Sequence, residues 1–297
     1  MSRDFQVQVR FHPPPADLQR YFTTFYHVEW TVPGGGRIED HLMPEWANLR
    51  FHDGACPEAW TLDGLRVADT PFPVTGPSSQ AVRFSVGSTR MWGIGFLPLG
   101  WAKFVAAPAA DYADSLLDGL RDPAFAHFRP LAASLYNDVA DHKAEYGRIA
   151  AFFTDLAGKP LAEEARIMAI HGALVDPEIA SVGQLVERAG GSQRTIERVC
   201  RRHFGFSPKL LLRRQRFMRS LSQFMLDPSL KWIGAIDGNY HDQAQFVRDC
   251  RRFMGMTPSQ YAALPKQLIG AVMRERARTA GSAAQALDGP EGPARGR

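Results

Sequence analysis

Two stretches of the sequence repeat the same pattern at a constant offset of 50 residues. The first copy runs from Ile196 to Pro208 and the second from Phe246 to Pro258. Each copy has a cysteine followed by two arginines, then a glycine, then Ser-Pro or Thr-Pro. Self-similarity at a fixed spacing is typical of one supersecondary unit used twice, so the chain is expected to fold around a duplicated motif.

Each copy carries the local signals of two short helices joined by a tight turn. In the first copy Ser181 and Gln184 fit a capping box, Gly190-Gly191 ends the helix, and Ser192 can cap the next one. The second helix repeats its apolar side chains at i, i+3, i+4 and i+7, which predicts one buried face. That face consists of Ile196, Val199, Cys200 and His203 in the first copy, and of Phe246, Cys250 and Phe253 in the second. The pattern predicts two helix-turn-helix units.

One long helix is predicted between the two units, from Pro208 to Leu226. Ser207 before Pro208 is a favourable helix start, and Asp227-Pro228 ends the helix. At 1.5 Å per residue the helix spans roughly 27 Å, a little less than the roughly 34 Å of one DNA duplex turn. It contains no internal glycine or proline, so it should hold the two units as a rod.

Residues 181–264 resemble the double helix-turn-helix domain of the AraC/XylS transcription regulators. The resemblance is carried by Ser192-x-Arg194-x-Ile196-x-Arg198, Phe204-Gly205-Phe206-Ser207-Pro208, Tyr240-x-Asp242-Gln243-x-x-Phe246-x-Arg248 and Gly255-x-Thr257-Pro258-x-x-Tyr261. The family usually has glycine where Asn239 stands; asparagine tolerates a left-handed backbone, which should preserve the turn. The resemblance implies sequence-specific binding to double-stranded DNA, with RNA polymerase as a further partner if the protein is an activator.

The outward-facing residues of the two second helices are the predicted DNA contacts. Arginine can pair bidentately with guanine, and glutamine with adenine. The predicted base contacts are Gln193, Arg194, Glu197, Arg198, Gln243, Gln245 and Arg248. The predicted phosphate contacts are Arg201, Arg202, Lys209, Arg251 and Arg252. Arg198 and Arg248 are equivalent by the repeat, and a phosphate contact is an equal alternative for both.

The net charge of +4 hides an asymmetry along the chain. Residues 180–265 carry a net charge of +8 and residues 266–297 of +3, whereas residues 1–179 carry −7. The basic part suits a polyanion such as DNA. No apolar run is long enough for a membrane span, and the first residues lack a signal peptide. The three cysteines form no CxxC pattern and are interpreted as buried, reduced thiols, so we expect a cytoplasmic protein without a membrane partner.

In the first 110 residues, apolar and polar residues alternate in short runs, which is typical of short β-strands. After Gly100 the apolar residues follow helical spacing. The predicted fold class is α+β, with a small N-terminal β-barrel or sandwich followed by helices and then an all-α C-terminal domain with two helix-turn-helix units. The predicted domains are a β-rich sensor at 1–110, a helical dimerisation or linker region at 111–176, the DNA-binding domain at 177–265, and a basic, largely disordered tail at 266–297.

The N-terminal half resembles the β-rich, often cupin-like sensor domains that precede AraC-type modules. The resemblance rests on His41-Leu42-Met43-Pro44-Glu45, Asn48-Leu49-Arg50-Phe51, Gly76-Pro77 and Gly93-Ile94-Gly95-Phe96-Leu97-Pro98. It implies a small-molecule effector in the barrel and a homodimer formed by the helices that follow. The predicted effector-pocket residues are Trp30, His41, Trp46 and Trp92. For each tryptophan the alternative is an ordinary core or rim position.

Catalytic signatures are missing from the N-terminal half. A metal-dependent cupin needs clustered ligands, usually a His-x-His pair with a nearby Glu, whereas His41, Glu45 and His52 form no such pair. Neither a Gly-x-Ser-x-Gly elbow nor a phosphate-binding glycine loop occurs. We therefore predict no catalytic residue, metal or cofactor. The leading interpretation is a DNA-binding transcription regulator; the alternatives are a cupin-like enzyme with an accessory DNA-binding module and an architectural DNA binder without effector.

Overall fold

The computed structural model of the chain describes residues 5–136 and 140–292. In this part of the chain, strands dominate the first 118 residues and helices the rest. The strands are β1 Gln6–His12, β2 Phe22–Thr31, β3 Ile38–Leu42, β4 Ala47–Gly54, β5 Glu58–Trp60, β6 Arg66–Val67, β7 Pro73–Thr75, β8 Val82–Val86, β9 Thr89–Phe96 and β10 Leu116–Asp118. The fold class is therefore α+β, as predicted.

The strands form two antiparallel sheets. The six-stranded sheet has the order β1-β2-β9-β4-β7-β10, and the four-stranded sheet has the order β3-β8-β5-β6. Strand β2 is paired with β9 through a register shift between Phe22 and Phe25, which lets both rings pack on the same side, against Phe153. From Phe25 onward the side chains alternate regularly, so Tyr26, Val28 and Trp30 face the opposite side.

The helices are α1 Pro98–Gly100, α2 Arg129–Ser134, α3 His142–Ala157, α4 Glu164–Val175, α5 Val182–Ala189, α6 Gln193–Val199, α7 Pro208–Leu226, α8 Lys231–Ala235, α9 Gln243–Met254, α10 Pro258–Ala263 and α11 Gln267–Ala280. Two segments with wider turns, Trp101–Val105 and Cys200–Phe204, continue α1 and α6. None of the helices in the described ranges is long and apolar enough to cross a membrane.

The buried side chains fall into two clusters that each join the two halves of the chain. One cluster packs Phe22, Phe25 and Phe96 of the sheet with α3, α4, α5 and α6. The other packs the opposite side of the same sheet, including Tyr26, Val28 and Trp30, with α7, α9 and α11. The two helix-turn-helix units therefore contribute to different hydrophobic clusters, and α7 contributes side chains to both.

The C-terminal tail differs most from the prediction. Instead of a largely disordered segment, the chain forms α11 and then packs Ala283, Ala284 and Ala286 into the second cluster. Helix α11 has no capping side chain of its own at Lys266. Its first free amides, at Leu268 and Ile269, donate to Asp40 of β3 at 3.1 and 2.9 Å. The missing cap is therefore supplied by a strand 228 residues earlier.

One further element differs from the sequence prediction. The run Tyr112–Leu120, predicted to be helical, contains β10, which pairs with β7 from Leu116 to Asp118. The sheet therefore extends beyond the predicted boundary at residue 110. Ahead of the sheet, a single 3-10 turn at Gln19–Tyr21 leads directly into strand β2 at Phe22.

Candidate functional site

The first helix-turn-helix unit consists of α5 and α6, and its local signals work as predicted. Ser181 and Gln184 form a complete capping box at the start of α5. Gly190 and Gly191 have φ of +73° and +97°, a left-handed backbone that suits glycine and ends the helix. Ser192 then accepts a hydrogen bond from the amide of Thr195 at 3.2 Å, which starts α6.

Helix α6 exposes the predicted contact residues on one side and buries the apolar ones on the other. Ile196, Val199 and Cys200 are fully buried. The exposed side chains are Gln193, Arg194, Glu197, Arg198, Arg201 and Arg202. Gln193 donates to Glu197 at 3.0 Å, so these two predicted base contacts are paired with each other. Arg194 makes no hydrogen bond or ion pair with any described residue, which leaves its guanidinium free for an external partner.

Arg198 is held by a carboxylate of its own chain. Its guanidinium donates to Glu163, just before α4, at 2.6 Å, and His203 lies 3.1 Å from the other oxygen of that carboxylate. The hydrogen bonds from Arg198 and His203 lower the pKa of Glu163 to about 2. Arg198 can contact DNA only after exchanging this carboxylate for a base or a phosphate.

The second unit consists of α8 and α9 and is fixed to α7 by the fully buried carboxylate of Asp249. Arg213 of α7 donates to this carboxylate; Arg216 of α7 and Tyr240 donate to its other oxygen at 3.3 and 2.9 Å. A buried carboxylate needs such compensation. Helix α9 therefore has one fixed orientation relative to the rod α7.

The turn of the second unit does not use the left-handed backbone that we expected at Asn239. Neither Gly238 nor Asn239 has a positive φ. Instead, Asp237 accepts from the amide of Asn239 at 2.9 Å and is paired with Arg219 of α7. Asn239 also donates to the carbonyl of Pro177 at 3.1 Å. The side chain of asparagine, which glycine lacks, thus ties the turn to the segment before α5.

Helix α9 exposes Gln243 and Arg248, and neither makes a side-chain hydrogen bond within the described parts of the chain. Gln245 is different, because its side-chain oxygen accepts from the amide of His241 at 3.1 Å and it is only half-exposed. Gln245 therefore stabilises the start of α9, and its side-chain oxygen already accepts a hydrogen bond within the chain. The predicted phosphate contacts Arg251, Arg252 and Lys209 are exposed, like Arg201 and Arg202.

Two of the three cysteines, Cys200 and Cys250, are fully buried at equivalent positions of the two units. Burial raises the pKa of both thiols to about 12. They remain protonated near neutral pH, so they act as small core side chains rather than nucleophiles.

A cavity lies between the two sheets and is closed by the C-terminal segment. The space open to the centre of a water-sized sphere is about 120 Å³, whereas one water needs roughly 10–15 Å³ on this measure. Its walls come from both sheets, from Met218 of α7 and from the tail. The tail contributes Leu268, Ile269, Val272, Met273, Arg276, Ala283, Ala284 and Gln285. Gly93 is required beneath this wall, because a Cβ there would come within 1.9 Å of the Tyr26 ring.

The cavity has one polar end. Arg50 donates to Glu45 at 2.5 Å and to Thr75 at 2.8 Å. Beside it lies His52, which is 8% exposed and whose Nδ1 has no hydrogen-bond partner among the described residues. Burial and the neighbouring Arg50 lower the pKa of His52 to about 3, so this ring is neutral.

Of the four predicted pocket residues, only Trp30 lines the cavity. The side chain of Trp92 faces the other side of the sheet, where it packs with Ile94 and Phe96 and donates to Glu145 at 2.7 Å. Trp46 lies under Arg214 of α7, with 4.0 Å between the guanidinium carbon and the ring centroid. Trp46, Trp92 and His41 do not line this cavity.

The sequence prediction missed Tyr26, Arg50 and His52 as cavity residues. Asn48, Arg50 and His52 alternate with Leu49 and Phe51 along β4, which is a strand with one polar side. That alternation was visible in the sequence and could have placed Arg50 and His52 on one face. The contribution of the tail had no comparable local signal.

One cluster of side chains in the described ranges has the spacing of metal ligands. The ligand atoms of His27, His142 and Glu145 lie within 4.8 Å of one another. However, Arg90 donates to Glu145 at 2.7 Å and Arg10 lies 3.2 Å from Nε2 of His142. Two guanidinium groups at this position oppose the binding of another cation. That the protein holds no metal stays a prediction.

Comparison with known protein families gives a match in the C-terminal part of the chain. Residues 185–263 match the model of a helix-turn-helix domain. No match is found among curated protein sequences.

Solved structures of one protein, ToxT from Vibrio cholerae, are similar to this chain. The first has a TM-score of 0.42 at 10% identity, with 88% of this chain and 98% of that chain covered. ToxT bound to (E)-4-(8-methylnaphthalen-1-yl)but-3-enoic acid gives 0.42 at 11% identity, with 88% and 98% covered. Unsaturated fatty acid bound ToxT gives 0.39 at 10% identity, with 88% and 95% covered. At such low TM-scores these likenesses define neither the ligand nor the domain arrangement of this chain.

Proposed function

Because residues 185–263 form an AraC-type helix-turn-helix domain, we propose that the protein is a sequence-specific transcription regulator whose DNA binding responds to a small molecule in the N-terminal cavity. The supporting observation is the pair of exposed helices α6 and α9, one before and one after the single helix α7. Selection of bound duplexes from a random pool tests the proposal. A defined site is expected; equal recovery of all sequences would favour the architectural DNA binder.

Arg194 and Arg248 are proposed to specify bases in two different segments of the site. Both are exposed and unpaired among the described residues, so neither must lose an internal contact to reach DNA. Arg194→Ala and Arg248→Ala should each relax the sequence preference at a different position, by about 1–3 kcal/mol. Sequence selection with each variant measures this. Arg66→Ala, on the outer strand β6, is the control, and an unchanged preference in both DNA-face variants would exclude the assignment.

Gln193, Glu197, Arg198, Gln243 and Gln245 complete the proposed base contacts. The internal contacts of Gln193, Glu197 and Gln245 reduce the number of free groups they offer. For Arg198, release from Glu163 allows either a base or a phosphate contact, and the two alternatives remain equal.

The exposed residues Arg201, Arg202, Lys209, Arg251 and Arg252 are proposed to bind phosphates. Neutralising one of them should weaken binding to all sequences alike and should lower the slope of log K against log salt by about 0.9. Titrations of Arg202→Ala and Arg251→Ala at several salt concentrations measure the slope. A slope equal to that of the unmodified protein would show that the residue does not contact a phosphate.

The rod α7 is proposed to place α6 and α9 in two successive major-groove segments. The helix is uninterrupted from Pro208 to Leu226, and the Asp249 contacts fix α9 to it. Since the two helices expose different residues, the two segments should differ in sequence. Inserting about five base pairs, half a duplex turn, between them should abolish tight binding. Unchanged affinity for the lengthened site would mean that only one unit engages DNA.

Helix α7 and the tail are proposed to link the cavity to DNA binding. Met218 of α7 lines the cavity, and Arg214 of the same helix donates to the carbonyls of Ser78 and Glu45 at 2.9 and 3.1 Å. Arg214 is fully buried, which lowers its pKa to about 9. A ligand that displaces Met218 would act on the helix that positions both helix-turn-helix units.

The proposal includes four further points. The protein is not an enzyme and works in the cytoplasm. Helices α3 and α4 are the proposed site of homodimer formation, which sedimentation of the full chain measures. RNA polymerase is a partner if the protein activates transcription.

A further inference from the structure

We infer that the cavity selects an uncharged, largely apolar ligand and rejects organic anions. This inference rests on the proposed function, since it assumes that the cavity is the effector site. It follows from how the charged side chains of the cavity are already paired.

Two arginines line the cavity, and each has a carboxylate of its own chain as partner. Arg50 is paired with Glu45 at 2.5 Å. Arg276 is paired with Asp288 and also donates to the carbonyl of Ser282 at 2.6 Å. Among the residues that the structure describes, those that line the cavity include no lysine. An anionic ligand would therefore have to displace a carboxylate that is at most 13% exposed, and this carboxylate would then lose its own partner.

The remaining polar groups of the wall are neutral. His52 is uncharged because burial and Arg50 lower its pKa to about 3. Tyr26 donates to Asn48 at 3.1 Å, and Asn48 donates to Gln285 at 2.8 Å, so this chain of groups is largely satisfied. Nδ1 of His52 is buried and has no hydrogen-bond partner among the described residues.

The rest of the wall is apolar and adaptable. Four methionines, Met43, Met91, Met218 and Met273, line the cavity together with valines, leucines and aromatic rings. Methionine side chains are flexible and polarisable, so such a wall can adjust to flat or irregular apolar molecules. The ligand class is thus an uncharged aromatic or aliphatic molecule with at most a few hydrogen-bonding groups.

A matched pair of fluorescent probes tests the inference on the full chain. N-phenyl-1-naphthylamine is uncharged, and 8-anilinonaphthalene-1-sulfonate has the same ring skeleton with one negative charge. The uncharged probe should bind at least about tenfold more tightly, because both arginines among the described lining residues are already paired with carboxylates. Val272→Trp, which fills the cavity from α11, should weaken the binding of the uncharged probe.

Removing one internal carboxylate should reverse the preference. Glu45→Gln leaves Arg50 without its anion, so affinity for the sulfonate should rise at least about tenfold. Asp288→Asn makes the same test independently at Arg276. Glu39→Gln is the matched control, because Glu39 lies 3.7 Å from Arg83 and is 61% exposed.

The outcomes separate this inference from the proposed function. Equal or tighter binding of the sulfonate by the unmodified protein would overturn the inference but leave the cavity as a ligand site. If the uncharged probe binds equally well to Val272→Trp, or does not bind at all, both the inference and the proposed function are overturned. Cavity binding of the uncharged probe that leaves DNA affinity unchanged would contradict only the proposed effector response.

Discussion

Lowering the pH from 7.5 to 5 is expected to reduce the free energy of unfolding by about 5 kcal/mol. Three buried histidines cause this loss. The pKa values of His27, His52 and His171 are each lowered to about 3, mainly by burial. Nearby charge adds to the effect: Arg10, Arg90, His12 and His142 act on His27, Arg50 on His52, and Arg214 on His171.

The sign follows from which state binds more protons. Between pH 6.5 and 3 these histidines are protonated in the unfolded chain and neutral in the folded one, so stability falls as the pH falls. At pH 5 each contributes a loss of about 2 kcal/mol. Asp288 acts in the opposite direction, because burial raises its pKa to about 6. It takes up a proton in the folded state and offsets about 1 kcal/mol.

Urea unfolding at pH 7.5, 6 and 5 measures the effect. In His171→Gln about one third of the histidine contribution should disappear, because one of the three buried rings is gone. His241→Gln is the control, since His241 is exposed on the turn before α9. A free energy of unfolding that is equal at pH 7.5 and 5 would mean that the three rings are not buried as neutral groups.

The parts of the molecule that the sequence predicted correctly depend on local signals. Three serines, Ser181, Ser192 and Ser207, each cap a helix by accepting a hydrogen bond from the backbone amide three residues later. The repeat supports the same prediction a second time, because equivalent positions such as Cys200 and Cys250 should be buried in the same way. Helix ends and amphipathic faces are encoded within a few turns, so the two units and the rod could be predicted without a tertiary structure.

The cavity could be predicted only in part, because it depends on which side of a strand each residue faces. Trp92 and Met91 are neighbours in β9, yet only Met91 lines the cavity. The residue type of a tryptophan does not show which side of a strand it faces. The alternation of Arg50 and His52 with apolar residues in β4 does show that these two side chains share one side. The carboxylate partners of the cavity arginines come from other segments, so their pairing could not be inferred from spacing along the chain.

Ending the chain at Lys266 is expected to lower the free energy of unfolding by about 6 kcal/mol or more. The deleted segment buries Leu268, Ile269 and Met273 against the sheet and α7, and each such side chain is worth about 1.5–3 kcal/mol. The truncation also removes both amide donors from the buried carboxylate of Asp40. Urea unfolding at pH 7.5 measures the loss, and a chain that ends at Gly292 is the matched control.

A smaller change isolates the contact that starts the tail helix. Asp40→Ala removes the acceptor for the amides of Leu268 and Ile269 and should cost about 1 kcal/mol, the usual effect of losing an N-cap. Glu39→Ala, one residue earlier in β3 and exposed, should cost much less. The basic character of residues 266–297 and the glycines, alanines and prolines near their end favoured disorder. However, Asp40 of β3 caps the start of α11, and Arg276 within the helix is paired with Asp288 beyond it. If the chain ending at Lys266 unfolds at the same urea concentration as the chain ending at Gly292, then the tail does not pack on the sheet. In that case residues 267–292 do not line the cavity.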